Sequence, residues 1–286
     1  GGLFHGRATE STTLLLRPTG DRSAHTLSDP MVFGNYSLIG GVRTSKLRIG
    51  SAPIGDNQSG GPDSASGLDS ASIAFMKLDP EALRQVASRT LDHYQTRAEA
   101  FWEGTRNHDV EQNIEALLRH IRSPAPHSIL DFGCGPGRDL VAFARRGHRA
   151  VGLEGAPALA QMARTHSGCE VWQQDFLSLD LPDCHFDGIF ANASLFHVPR
   201  QELPRVLRQL HGTLKPGGVL FSSNPRGENQ ESMSGERYGA YYDLAAWRAY
   251  LIAAGFSELE HYYRPVGLPF ERQPWLASVW RKAGRP

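Results

Sequence analysis

Asp131-Phe132-Gly133-Cys134-Gly135-Pro136-Gly137 places a carboxylate two residues before three glycines at alternate positions. Glycines at this density let the chain turn sharply and let a ligand approach the backbone without meeting a Cβ. The helix that should follow opens with N–H groups unpaired within the helix, which favour an anionic ligand group. Phosphate and dinucleotide loops share these properties, but their Gly-x-Gly-x-x-Gly spacing is not the Gly-x-Gly-x-Gly seen here, and Pro136 interrupts the run. Asp131 suits an ammonium group and would repel a nearby pyrophosphate. Further along, Glu154 can accept hydrogen bonds from both hydroxyls of a ribose, each charge-assisted bond contributing about 1.5–3 kcal/mol. Nicotinamide-dinucleotide binders use an acid in the same way, so Glu154 alone marks only a nucleoside. Asp175 can accept from an adenine amino group while Phe176 offers an apolar face to the ring. Asn192 and His197 complete the set, the imidazole titrating near neutrality when unperturbed.

The elements that must position these residues follow from the spacing of apolar side chains. Short, continuously apolar runs at 127–132, 150–154, 170–174, 186–192 and 219–223 read as strands. Between them, 3.6-residue periodicity predicts helices, including one with Leu140, Phe143 and Ala144 in register, one over 157–165, and one carrying Leu203, Val206, Leu207, Leu210 and Leu214. Lys215-Pro216-Gly217-Gly218 should stop the last of these. Ahead of this alternation, Asp79-Pro80 starts a helix expected to reach about Trp102, and a second spans 111–121. After it, a polar loop, a helix over 243–254 and strands at 259–263 and 276–281 are expected, the two strands as an antiparallel pair at one edge. Such alternation specifies an α/β fold with a parallel sheet covered on both faces. Ligands then sit at the carboxyl ends of the strands, where the strand order reverses. Asp131, Glu154, Asp175 and Asn192 all fall at or just beyond strand ends.

In their order, DFGCGPGRDL, Glu154, Gln174-Asp175-Phe176, FDGIFANASLFHVP and LKPGG resemble the motifs of class I S-adenosylmethionine-dependent methyltransferases of small-molecule type, over about residues 80–283. The resemblance implies a doubly wound, mostly parallel seven-stranded sheet with helices on both faces and an antiparallel edge strand. It implies S-adenosyl-L-methionine as cofactor, S-adenosyl-L-homocysteine as product, and in-line methyl transfer to a nitrogen, oxygen or sulfur nucleophile. Carried over by position, Asp131 with Gly133, Cys134, Gly135 and Gly137 would contact the methionine end. Glu154, with Gly155 beside it, would hold the ribose, and Gln174, Asp175 and Phe176 the adenine. Asn192 would lie beside the sulfonium. The family often has Asp where Glu154 stands, so the ribose contact here carries one extra methylene.

His197 is the candidate base or orienting residue, with a structural or substrate-shaping role as the alternative. Tyr94 and Trp102 belong to a run that resembles the lid helix of small-molecule methyltransferases; their rings either cover the sulfonium or pack the helix on the sheet. Arg226, Arg237, Tyr238 and Tyr241, in the polar segment after the fifth strand, are candidate substrate residues. The arginines could grip a carboxylate bidentately, or stand solvated on loops. Cys134, Cys169 and Cys184 have no Cys-x-x-Cys spacing, and no metal is expected.

Thirty basic side chains balance thirty acidic ones, so neither a nucleic-acid nor a membrane partner is indicated. A small-molecule substrate is the expected partner, and oligomeric state is not readable. Residues 1–77 read as an extension and linker before a methyltransferase domain at 78–286, whose lid helices occupy 78–122. Residues 1–50 are acid-poor and hydroxyl-rich, which suits either an organelle transit peptide or an extension without an address. The expected location is accordingly the cytoplasm or an organelle. Two other readings stay open: an NAD(P)-dependent oxidoreductase, and a cofactor-binding protein without catalysis.

Overall fold

The computed structural model describes residues 77–284. The extension expected over 1–77, with its transit-peptide reading, lies outside the described residues except for Lys77. Helix α1 (Pro80–Thr96) starts where Asp79 accepts a hydrogen bond from the Ala82 N–H at 2.8 Å. It ends earlier than its apolar periodicity suggests. The Thr96 hydroxyl bonds back to the Asp92 carbonyl at 2.8 Å, and Arg97 leaves helical space at φ −120°, ψ 19°. A separate helix α2 (Ala98–Thr105) follows, then α3 (Glu111–Leu118).

The alternating part runs β1 (Ser128–Phe132), α4 (Arg138–Arg145), β2 (Arg149–Glu154), α5 (Pro157–Ser167), β3 (Glu170–Gln173), β4 (Phe186–Asn192), α6 (Leu203–Thr213), β5 (Leu214–Pro225). It closes with β6 (Gln230–Ser234), β7 (Arg237–Tyr241), α7 (Leu244–Ala253), β8 (Phe256–Arg264) and β9 (Trp275–Lys282). Seven strands form one sheet in the order β3-β2-β1-β4-β5-β9-β8, in which only β9 runs against its neighbours. The chain therefore winds outward from β1 to β3, then returns to β4 on the other side of β1. Loops leaving β1 and β4 diverge at that reversal and open a crevice.

Alternation along the strands divides the core. Leu130, Phe132 and Leu220 face α6 and α7, packing with Leu207, Leu210, Trp247 and Leu251. Ile129, Phe190, Val219 and Phe221 face the other layer, against Ile114, Leu117, Leu140 and Phe143. No helix among the described residues is long and apolar enough to cross a membrane.

Two expectations need correction. The fifth strand starts at Leu214, not 219, because Leu214 already pairs with Phe186 and Lys215 reaches Asp187 at 2.9 Å. The polar loop after it contains a hairpin, β6–β7, turned by Gly235 at φ 59°. That hairpin is bound to α1: the Tyr238 N–H donates to the Thr90 hydroxyl at 3.0 Å, and Arg89 pairs with Glu236 at 2.7 Å.

The antiparallel edge has a polar centre. Ser278 on β9 lies opposite Ser222 on β5, and its Oγ receives the indole N–H groups of Trp247 (3.0 Å) and Trp280 (2.9 Å). With both acceptor sites occupied, its own O–H is left to donate to Ser222 Oγ at 3.0 Å. Ser278→Ala strands two buried indole donors, each costing about 1–3 kcal/mol. Denaturant unfolding should show a loss of about 2–4 kcal/mol; a loss below about 0.5 kcal/mol would mean that these bonds contribute nothing net.

Candidate active site

The turn after β1 is held under β2: the N–H groups of Gly133 and Cys134 both donate to the Leu153 carbonyl, at 2.8 and 3.0 Å. Gly133 sits at φ 77°, and a Cβ there would stand 2.5 Å from the Ser194 Cβ. Gly137, at φ 89°, starts α4, and a Cβ there would stand 2.8 Å from the Ala163 Cα of α5. Both positions thus exclude any side chain, for conformation and for space. Cys134 is buried beneath the turn, its thiol 3.7 Å from the Gly135 carbonyl and held above its ordinary pKa by burial.

Above this turn lies a cleft of about 680 Å³, counted with its open mouth. Gly133, Gly135, Glu154 and Gly155 form one side. Asp175, Phe176 and Ser194 continue it, and Tyr94 and Phe101 cover it from the helices. Glu154 spans the β1 and β2 turns: its Oε2 accepts from Gly135 N–H and its Oε1 from Ala156 N–H, both at 2.9 Å. Each oxygen keeps a second acceptor site. Burial outweighs these bonds and raises the Glu154 pKa. Asp175 Oδ1 accepts from Leu177 N–H at 2.9 Å, and Phe176 stacks on Phe132 at 4.3 Å between centroids.

Asp131 is 2% exposed, and its Oδ2 has no hydrogen-bond partner. Burial, followed by the nearby Asp139 carboxylate, pushes its pKa well above the carboxylate range. Asp139 itself is paired with Arg138 at 2.7 Å.

Elsewhere in the cleft, three elements meet on His197. Its Nδ1 lies 2.7 Å from the Tyr238 carbonyl of β7, which can only accept, so Nδ1 carries the proton. Its Nε2 lies 2.9 Å from the Tyr94 hydroxyl of α1. Burial, and secondarily the Arg237 charge, push the His197 pKa down to about 4. The imidazole is neutral at physiological pH, with an Nε2 lone pair that Tyr94 O–H occupies. The Arg237 charge also acts on Tyr94, partly offsetting the rise in its pKa caused by burial.

The other residues named from sequence are placed as follows. Asn192 does not line the cleft; its amide joins Asn113 (3.0 Å) and Asp139 (3.4 Å). Gln174 closes the loop over 174–180 through Asp180. Arg226 is directed elsewhere, contrary to the reading as a carboxylate ligand: it donates to the carbonyls of Gln273 and Phe270 and lies 3.6 Å over the Phe270 ring. Tyr238 is buried, its hydroxyl engaged by Glu231 and the Arg200 N–H, so its backbone alone faces His197. Tyr241 packs on Phe196. Trp102 stacks on His166 at 4.4 Å, and Phe101 instead lines the cleft. Sequence reasoning missed Phe101, Leu91 and Ser194. Only the break at Arg97 turns Phe101 inward, and only the β4 turn brings Ser194 to Gly133.

A family described as "Methyltransferase domain" matches residues 129–218. The ubiquinone biosynthesis O-methyltransferase of Xanthomonas axonopodis pv. citri (strain 306) is 31% identical over 203 residues, covering 66% of this chain and 78% of the relative. A malonyl-[acyl-carrier protein] O-methyltransferase of Xylella fastidiosa (strain M23) is 31% identical over 153 residues, 51% of this chain and 48% of that protein. Among solved structures, the Burkholderia thailandensis 1,6-didemethyltoxoflavin-N1-methyltransferase, crystallised with 1,6-didemethyltoxoflavin and S-adenosylhomocysteine, superposes with a TM-score of 0.59 at 20% identity. It covers 77% of this chain and 99% of that one, a likeness of fold. The glycine turn at the sheet's reversal, the acid ending β2 and the curated relative of which this chain spans 78% lead to one family: the chain belongs to the class I S-adenosylmethionine-dependent methyltransferases.

Proposed function

We propose that this enzyme methylates a hydroxyl of a small molecule, with His197 taking the hydroxyl proton. The observation that carries this reading is the neutral His197 imidazole, its Nδ1–H fixed on the Tyr238 carbonyl and its Nε2 directed at the Tyr94 hydroxyl in the cleft. An amine can lose its proton after transfer, whereas a hydroxyl gains nucleophilicity by losing it during attack. A positioned acceptor lone pair therefore favours an oxygen nucleophile. An acceptor hydroxyl would replace Tyr94 O–H at Nε2, and Tyr94 would turn to hold the same oxygen with Arg237 beside it. Alignment behind the methyl group and exclusion of water supply the rest of the rate.

The cleft fits the cofactor. When bound, S-adenosylmethionine supplies a methyl group already activated by its positive sulfur. The unpartnered Asp131 Oδ2 supports an ammonium ligand at the methionine end, and Gly133 and Gly135 of the following turn line the cleft. Glu154 retains acceptor capacity for the ribose, and Asp175 with Phe176 borders the space expected for adenine. Arg237 and Tyr241 remain candidate acceptor residues through their proximity to Tyr94.

Asp131→Asn should weaken S-adenosylhomocysteine binding at least tenfold by calorimetry, equivalent to about 1.4 kcal/mol, without unfolding the protein. Unchanged affinity would remove Asp131 from the methionine end. His197→Gln should lower kcat at least about a hundredfold on an acceptor found by labelled-methyl screening, with cofactor affinity unchanged. Because the base form is required and its pKa is depressed to about 4, wild-type kcat/KM should hold through neutrality and fall only as pH drops toward that value. A fall centred near pH 6.5, the ordinary histidine range, would contradict a buried neutral His197.

A further inference from the structure

The hairpin β6–β7 is a sheet of two strands, so among the described residues one edge of β7 pairs with no other strand. In an antiparallel pair the N–H and C=O of one residue point to the same side of its strand. At Tyr238 both point along this outer edge, and side chains of two other elements take them. The N–H donates to the Thr90 hydroxyl of α1 at 3.0 Å, and the C=O accepts the Nδ1 proton of His197 at 2.7 Å. The phenol of Tyr238 accepts the Arg200 N–H at 3.0 Å and donates to Glu231, which ties the same residue to the loop after His197.

Thr90 is fitted to this contact by its own helix. It is 6% exposed, and its hydroxyl proton goes to the Val86 carbonyl one turn back, at 3.0 Å. Its β-branched side chain has few rotamers in which to leave that bond. The oxygen is thereby held with a lone pair free for β7. Four residues on, Tyr94 lies on the same face of α1, and its hydroxyl meets His197 Nε2 at 2.9 Å. The hydrogen bonds form a ring, from Thr90 through Tyr238 and His197 to Tyr94 and back along one turn of α1. Both contacts that define the imidazole trace to that turn.

We infer that Thr90 is a positioning residue for His197: by holding the β7 edge it keeps the Tyr238 carbonyl on Nδ1–H, so that the Nε2 lone pair is the one presented to the acceptor. This rests on the reading of His197 as the base. Without the Thr90 hydroxyl, the Tyr238 N–H loses its partner on α1, the carbonyl loses its fixed place, and nothing confines the proton to Nδ1. An imidazole protonated on Nε2 meets an acceptor hydroxyl as a donor and cannot take its proton.

Thr90→Val keeps the shape of the side chain and removes the hydroxyl; Thr90→Ser keeps the hydroxyl. Nitrogen-15 NMR of the imidazoles at neutral pH reads the tautomer in ligand-free protein, with His197→Gln identifying the His197 signals. Wild type and Thr90→Ser should carry the proton on Nδ1, and Thr90→Val should show a mixture. On an acceptor found by labelled-methyl screening, Thr90→Val should lower kcat about tenfold, with KM and S-adenosylhomocysteine affinity within about twofold of wild type. Thr90→Ser should recover most of that loss. An unchanged tautomer in Thr90→Val, or Thr90→Ser as impaired as Thr90→Val, would overturn the inference. So would weakened cofactor binding with kcat unchanged, the signature of a ligand contact. Wild-type His197 protonated on Nε2 would overturn it without any variant. Full activity in His197→Gln would instead overturn the base reading, and with it the role given to Thr90, whatever the tautomer.

Discussion

The cleft depends on a close contact between two turns that leave neighbouring parallel strands in different directions. Gly133 at the end of β1 and Ser194 just beyond β4 approach so closely that a single Cβ on Gly133 would lie 2.5 Å from the Ser194 Cβ. Parallel pairing of β1 with β4 sets the distance, since Asp131 lies opposite Phe190 in the register. The reversed winding of the chain sends the two loops apart immediately afterwards. A side chain at Gly133 would force the turns apart, and with them Glu154, which ties the β1 turn to the β2 turn through Gly135 and Ala156. The position of His197 follows from the same contact, because the 3₁₀ turn holding it begins after Ser194.

The electrostatics of the cleft differ between its two ends. At the glycine turn, the charges of Asp139 and Glu154 act on Asp131, and burial raises the pKa of both Asp131 and Glu154. Such a cluster is unfavourable, and a cationic ligand group would relieve it. At the other end, burial and Arg237 keep His197 neutral, while Tyr238 fixes its tautomer. A cation is welcomed at one end and a proton acceptor is prepared at the other. Bonds at Thr90 and Arg89 tie α1, the helix that carries Tyr94, to the hairpin.

Much of this was legible in the residues because strand ends are short and their polar residues stand out against apolar runs. Gly133, Gly135, Glu154, Asp175, Phe176 and His197, which line the cleft, could each be named from type and place. The sheet, including its antiparallel pair, followed from the alternation. What was hidden depends on tertiary contacts. The break at Arg97 accompanies a hydroxyl turning back on its own helix, and Phe101 rather than Trp102 lines the cleft. Arg226 looked like a ligand by type, yet the loop before β9 supplies carbonyls and an aromatic face that engage it. The hairpin β6–β7 carries alternating polar residues, so neither its strands nor the backbone role of Tyr238 had an apolar signature. Ser194 is one serine among many until the β4 turn places it.

We propose that the cleft holds S-adenosylmethionine through an ammonium-selective acidic end and a nucleoside-binding end. Calorimetric titration of the wild-type protein with S-adenosylhomocysteine, alongside NADH and NADPH, tests it most directly. Micromolar binding of S-adenosylhomocysteine is expected, with no measurable binding of either nicotinamide cofactor, whose pyrophosphate would face Asp131. Binding of a nicotinamide cofactor in preference to S-adenosylhomocysteine would contradict it.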